Sequence, residues 1–165
     1  LTPDVIIGDL DSVSEAAKKA VPSENLIFVN NQNNTDLEKA LDWLCAQGAA
    51  ACTLAGFLGG RWDFTLGNFL SAVPYASKMD LTFAGENWNF YPLQHRRRFA
   101  CKPGKRVSLI PLKTCTGVSL QGLKYPLQNA RLKLGGTGRT LSNETIGNSF
   151  CVDIKSGLLL VYAEK

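Results

Sequence analysis

The feature that most constrains this chain is a change of pattern near residue 85. Up to Ala84, short apolar runs alternate with helical periodicity; beyond Gly85 no convincing helical pattern recurs. The runs Val5–Ile7, Leu26–Val29, Ala51–Ala55 and Leu81–Ala84 read as strands. Helical patterns separate them: one is expected from about Val13 to Ala20, with Ser12 and Glu15 in capping-box spacing. A second starts at Thr35 with Glu38 three residues on, carries Leu37, Ala40, Leu41, Leu44 and Cys45 on one stripe, and stops at Gly48. In the third, Asp63 is expected as the cap and Leu66, Phe69, Leu70 and Val73 as the apolar face. Strands alternating with helices imply a parallel sheet with covering helices. After Trp88 come only short runs, Val107–Ile110, Val118–Leu120, Leu132–Leu134 and Phe150–Ile154, then an expected hairpin turn over Asp153–Leu158 and a last strand, Leu159–Tyr162. The expected fold class is therefore α/β, a parallel-sheet N-terminal domain (1–87) followed by a small antiparallel β-sandwich (88–165).

Charge divides at nearly the same place. Leu1–His95 holds 5 Lys/Arg against 11 Asp/Glu, while Arg96–Lys165 holds 13 against 3. Such halves suit a shared polyanionic ligand or the attraction of one subunit's half for another's. The basic run Arg96, Arg97, Arg98, Lys102, Lys105 and Arg106 around Phe99 also fits a nucleic-acid-binding module, but that reading leaves the acidic half unexplained. Basic strand edges equally prevent unwanted pairing. No apolar run is long enough to span a bilayer, and the first residues have no signal-peptide pattern, so no membrane partner is expected. Cys45, Cys52, Cys101, Cys115 and Cys151 are scattered without a C-x-x-C pair, and a single histidine, His95, is present. They read as reduced, mostly buried thiols of a cytoplasmic protein.

Chemistry concentrates where strands end. Ile6-Ile7-Gly8-Asp9-Leu10-Asp11-Ser12 closes an apolar run with two carboxylates, hard oxygen ligands of the kind Mg²⁺ uses together with substrate phosphates. An isolated D-x-D is more often a turn that caps the next helix. Asp36 sits in the first turn of the Thr35-capped helix, where the helix dipole favours a negative charge with or without a metal. The loop Gly56-Phe57-Leu58-Gly59-Gly60-Arg61-Trp62-Asp63 pairs glycines, which permit close backbone approach, with an arginine fork suited to phosphate oxygens. Taken alone it reads equally as a strand-to-helix turn with a surface arginine.

Five segments together resemble thiamine pyrophosphokinase. They are Gly8-Asp9-Leu10-Asp11-Ser12; Gln32-Asn33-Asn34-Thr35-Asp36; Gly59-Gly60-Arg61-Trp62-Asp63 with Asn68; Gly122-Leu123-Lys124-Tyr125-Pro126-Leu127; and Ser142-Asn143-Glu144. Order and spacing match over nearly the whole chain. The resemblance implies a transferase that moves a pyrophosphoryl group from ATP to thiamine, giving thiamine diphosphate and AMP. It further implies a homodimer whose sites lie between one subunit's α/β domain and its partner's sandwich. Carried over, Asp9, Asp11 and Asp36 would hold Mg²⁺, Arg61 would meet the nucleotide phosphates, and Gln32 would line the thiamine side. Thr35, Asp63 and Asn68 fall in the same substrate-binding motifs. Tyr125, Ser142 and Asn143 would bind the vitamin, the ring by stacking on a cationic heterocycle. The chain departs from the family pattern in two places. Phe64 stands where many relatives carry histidine, and nothing corresponds to their earlier strand with its Ala-Asp-Gly-Gly-like end, so the α/β half is expected to lack its first strand. A non-catalytic thiamine or nucleotide binder is the alternative.

Overall fold

A computed structural model of the chain describes residues 2–57, 61–136 and 140–165. Strands β1 (Ile6–Gly8) and β2 (Leu26–Phe28) pair in parallel, Ile7 opposite Ile27. Between them lies a short helix, α1 (Glu15–Lys19). Its cap is Ser14, whose Oγ accepts from the Ala17 N–H at 3.2 Å, and not the expected Ser12. The nearer hydroxyl satisfies the first turn, leaving Ser12 in the bend that follows the aspartates.

The helix α2 (Asp36–Ala46) forms as its sequence dictates. Thr35 Oγ1 accepts from the Glu38 N–H at 3.2 Å, and the Glu38 carboxylate accepts from the Thr35 N–H at 2.8 Å, a complete capping box. Leu41 is fully buried on its inner face. After β3 (Ala51–Leu54), helix α3 (Trp62–Ala72) is turned differently from expectation. Its cap position is Arg61, and Asp63 lies inside the first turn. Phe69 and Val73 face inward as expected, but their companions are Thr65 and Ala72, while Leu66 and Leu70 are 60% and 57% exposed. Packing of rings sets this rotation. Phe69 lies 4.5 Å from Phe83, 5.1 Å from Phe57 and 5.3 Å from Phe90, centroid to centroid, and small Thr65 and Ala72 let the helix approach.

The remaining strands correct the expected sheet. β4 (Asp80–Ala84) runs parallel to β3, but then turns through Gly85–Asn87 and pairs antiparallel with β5 (Trp88–Leu93), Phe83 opposite Phe90. The parallel strands β3 and β4 are thus one edge of a six-stranded mixed sheet, and β1–β2 stand as a separate pair. Strands β6 (Arg97–Ala100), β7 (Arg106–Pro111), β8 (Cys115–Gln121), β9 (Ala130–Leu132), β10 (Asn143–Glu144), β11 (Ser149–Asp153) and β12 (Leu159–Glu164) complete two sheets, β10-β7-β12-β5-β4-β3 and β6-β11-β8-β9. The segment Asp153–Leu158 is therefore a crossover between sheets and not a hairpin: β11 pairs with β6 and β8, β12 with β5 and β7. Its bend is held by Thr116 pairing with Ser156.

One apolar cluster draws Leu93, Val107, Leu109, Leu159 and Val161 from the larger sheet and Phe99, Val118, Leu120, Phe150 and Val152 from the smaller. A second joins Leu41, Leu54, Ala72, Val73 and Phe83 beneath α2 and α3. Fully burying side chains of this size stabilises by about 1.5–3 kcal/mol each, which fixes both clusters without a disulfide. Cys115 and Cys151 are buried and the other three cysteines half-buried. No helix among the described residues is long and apolar enough to cross a membrane.

Candidate functional site

The first group of expected site residues gathers at the end of β1. Gly8 has φ +154°, and a Cβ there would lie 3.1 Å from the Asp36 carboxylate. Glycine is what lets the first turn of α2 close on the strand end. Leu10 follows at φ +59°, uncommon for a branched side chain, and the sharp turn it makes carries the Asp11 N–H onto Asp9 Oδ1 at 3.3 Å. Hydrogen bonds from Asp11, the backbone N–H first and then the side chain, hold the Asp9 carboxyl below the usual carboxylate range, and the nearby Lys39 ammonium adds to this.

Lys39 is the residue that sequence reasoning overlooked. Its side chain is 4% exposed, donates to Asp36 Oδ1 at 2.8 Å and stands 4.0 Å from Asp9 Oδ2. The hydrogen bond to Asp36 raises its pKa. A readable signal was present: Asp36 and Lys39 are three apart on one helix, the spacing at which opposite charges meet.

Among the described residues no group of three His, Cys, Asp or Glu side chains is placed to hold a metal. The turn at Leu10 leaves Asp11 exposed, tied to Asp9 through its backbone, while an ammonium bridges Asp9 and Asp36. The donor chemistry still fits Mg²⁺ in its usual mode, in which one or two carboxylates act with substrate phosphates and water. Asp9 and Asp36 already flank one cation.

Beside them a cavity of about 230 Å³ is lined by Thr35, Asp63, Phe64, Gly67 and Asn68, so three of the expected substrate residues share one wall. Arg61 reaches its rim. Its guanidinium forks onto the Asp63 carboxylate, Nε donating to Oδ1 at 3.1 Å and the second nitrogen to Oδ2, and lies 4.4 Å over the Phe64 ring. That fork holds the Asp63 carboxyl below its usual range. Phe64 thus gives the arginine an apolar platform. Gly59 and Gly60 lie outside the described residues. Gln32 is exposed in the turn before Thr35.

The second group assembles on the β-rich half. Gly122 has φ +77° and backs so closely onto the Ser149 carbonyl that a Cβ would overlap it. This seats the 122–127 loop against the 142–146 segment: Lys124 N–H donates to Glu144 O at 2.8 Å and Ile146 N–H to Gly122 O at 3.1 Å. Asn143, 7% exposed, binds the Tyr125 backbone at both ends, accepting its N–H at 3.0 Å and donating to its carbonyl at 2.7 Å, and also accepts the Glu144 N–H at 2.9 Å. The Asn143 amide, expected to face a ligand, is committed to holding Tyr125. Tyr125 itself is 61% exposed. Ser142, at φ +60°, is exposed and lines a cavity of about 120 Å³ with Asn143, Glu144, Gly104, Arg106 and Glu164. Among the described residues no hydrogen bond or ion pair joins this group to the aspartates. His95 is exposed in the bend between β5 and β6.

Fold and site together define a mixed α/β protein that presents carboxylates and an arginine at a strand-end crevice, with a second polar and aromatic face on an all-β half. Two family models match it in succession: "Thiamin pyrophosphokinase, catalytic domain" over residues 1–83 and "Thiamin pyrophosphokinase, vitamin B1 binding domain" over residues 91–159. The chain belongs to the thiamin pyrophosphokinase family. It is 28% identical over 169 residues to thiamine pyrophosphokinase of Bacillus subtilis, covering 98% of this chain and 78% of that one. Thiamine pyrophosphokinase 3 of Oryza sativa is 28% identical over 174 residues, with 97% of this chain and 65% of that protein covered. Among solved structures, the Geobacillus thermodenitrificans thiamin pyrophosphokinase superposes with a TM-score of 0.82 at 27% identity, covering 99% of this chain and 78% of that one. The Bacillus subtilis structure gives 0.86 at 24% identity, covering 99% and 79%, a likeness of fold.

Proposed function

We propose that this chain acts as a thiamine pyrophosphokinase, transferring the pyrophosphoryl group of ATP to the hydroxyethyl oxygen of thiamine to give thiamine diphosphate and AMP. The observation that carries the reading is the succession of two family matches, one over each half of the chain. Residues 1–87 would supply the nucleotide-handling α/β part and 88–165 the thiamine-binding β-sandwich part, with one six-stranded sheet running through both.

In the reaction the alcohol oxygen forms a bond to the β-phosphorus as the bond from that phosphorus to the α-phosphate oxygen breaks, and AMP leaves. The alcohol proton passes to solvent. Such transfers ask the protein chiefly for positioning and charge stabilisation, so a strong side-chain base is not required. Asp9, Asp11 and Asp36 would hold Mg²⁺, which supplies neutralisation of the triphosphate when bound. Arg61 is poised by Asp63 and Phe64 to offer its remaining N–H groups to phosphate oxygens. Thr35, Asp63 and Asn68 line the adjoining crevice, and Gln32 would line its thiamine side. Tyr125 offers a ring face to the thiazolium cation, fixed by Asn143, while Ser142 contributes an exposed hydroxyl.

The working unit is a homodimer, in which the aspartate crevice of one subunit meets the Tyr125–Ser142 face of the other. Its supports are the opposite charges of the two halves and the apolar groups both leave exposed: Trp62, Leu66 and Leu70 on α3, Leu141 and Ile146 on the other half. Free cysteines throughout favour the reducing cytoplasm. The test is thiamine-dependent AMP release from ATP and Mg²⁺, with the molecular mass in solution measured beside it. Ligand binding without AMP release would make the chain a non-catalytic homologue.

A further inference from the structure

Lys39 is a buried charged side chain for which the reaction as described has no use. It lies on α2 where that helix packs beside β1, and its ammonium stands between carboxylates from two different elements, 2.8 Å from Asp36 and 4.0 Å from Asp9. Two facing carboxylates repel, so without a cation the strand end and the helix start would push apart. The ammonium removes that repulsion while no ligand is bound. It also changes what the crevice admits. A bare divalent cation bridging the same oxygens meets a fixed positive charge at hydrogen-bond distance. A divalent cation already complexed by a polyphosphate brings negative charge of its own, and the same ammonium then attracts it.

We propose that Lys39 is a positioning residue that holds Asp9 and Asp36 together and makes this crevice select a metal–polyphosphate complex over the free divalent cation. The inference rests on the reading of Asp9 and Asp36 as metal-holding groups given above. It differs from a packing role in its sign: removing the charge must strengthen binding of the bare ion while weakening binding of the complex.

The experiment uses Lys39→Met, which keeps the length of the side chain, and Lys39→Arg, which keeps its charge. Free Mn²⁺ is titrated by electron paramagnetic resonance, and the Mn²⁺ complex of α,β-methylene-ATP, whose reacting bridge is blocked, by calorimetry. Even at the dielectric of bulk water, unit charges about 4 Å apart interact enough to change a binding constant severalfold, and a divalent ion doubles the interaction free energy. The Met variant should therefore bind free Mn²⁺ about tenfold tighter or more and the complex about tenfold weaker, with the Arg variant keeping the wild-type order. Unchanged or weaker Mn²⁺ binding in a Met variant with wild-type circular dichroism overturns the proposal, as does equal weakening of both ligands. Should the Met variant not fold, Lys39→Gln carries the same two readings. Wild-type protein that prefers the complex but releases no AMP would refute the assigned activity and leave this inference standing. Wild-type protein that binds free Mn²⁺ as tightly as the complex would do the reverse.

Discussion

Asn143→Ala tests whether the second half of the site is built as the structure has it. The side chain is buried and makes three bonds, at 3.0, 2.9 and 2.7 Å, all to backbone groups of Tyr125 and Glu144. Each bond contributes a net of roughly 0.5–1.5 kcal/mol, giving an upper figure of about 4.5 kcal/mol. Tyr125 is exposed, so its freed N–H and carbonyl can turn to water, which lowers the expected loss to about 2 kcal/mol. A second consequence is functional. With its backbone released, the Tyr125 ring must be ordered on binding, at a cost of about 1 kcal/mol, or roughly a fivefold rise in the thiamine KM at saturating ATP. Urea unfolding and steady-state kinetics on the same preparations measure both. Asn143→Asp keeps the acceptor but sets a carboxylate oxygen against the Tyr125 carbonyl, and should lose comparable stability. Stability unchanged to within about 0.5 kcal/mol, together with a collapse of thiamine affinity, would refute the reasoning, because the amide would then be spent on ligand and not on backbone.

Tyr125→Ala should weaken thiamine binding by about 1–2 kcal/mol through loss of the ring face, and an unchanged thiamine KM would remove stacking from the account. Asp11→Asn should leave the thermal midpoint nearly untouched, since the residue is exposed, while turnover falls by orders of magnitude; wild-type turnover would take Asp11 out of the metal site. The Asp9 carboxyl is held low in the fold, so its contribution to stability is complete above the ordinary carboxylate range and lost as pH falls through that range to its lower folded value. Thermal midpoints recorded across that acid window should slope less in Asp9→Asn than in the wild type, and identical slopes would contradict the shift. Phe83→Ala, at a fully buried position among Phe57 and Phe69, should cost about 3–5 kcal/mol in urea unfolding, and a cost below ~1 kcal/mol would mean that α3 does not dock on those rings.

The elements were legible because each is written in short-range chemistry. Thr35 and Glu38 start α2 by a reciprocal pair of bonds that needs nothing from the rest of the chain, and α2 formed where its sequence places it. Strand pairing was not legible to the same degree. Leu81–Ala84 reads alike whether its next neighbour is parallel or antiparallel, and what decides is the three-residue turn that returns Trp88–Leu93 beside it. The same limit hid the crossover at Asp153–Leu158. A turn between two apolar runs looks the same whether the runs pair with each other or with strands far away in sequence. For α3 the apolar spacing allowed more than one inward face, and the choice fell to Phe69 because three other rings converge on it.

At the site the sequence marked the groups that bear charge but not the groups that spend it. Asp9, Asp36, Arg61 and Asn143 all carry chemistry on inspection, yet each has a partner that takes up part of its capacity: Lys39 for the two aspartates, Asp63 for the arginine, the Tyr125 backbone for the asparagine. Such pairing is what holds long polar side chains in one geometry before a ligand arrives, and it has a direct electrostatic consequence. With Lys39 between Asp9 and Asp36, the crevice presents less negative charge than three aspartates alone, and Arg61 and Asp63 nearly cancel at its rim. A site so balanced repels a polyphosphate far less than its aspartates suggest. The crevice keeps a net negative charge, four aspartates against Lys39 and Arg61, so in the proposed dimer the attraction for a strongly anionic substrate would come from the basic excess of the other half.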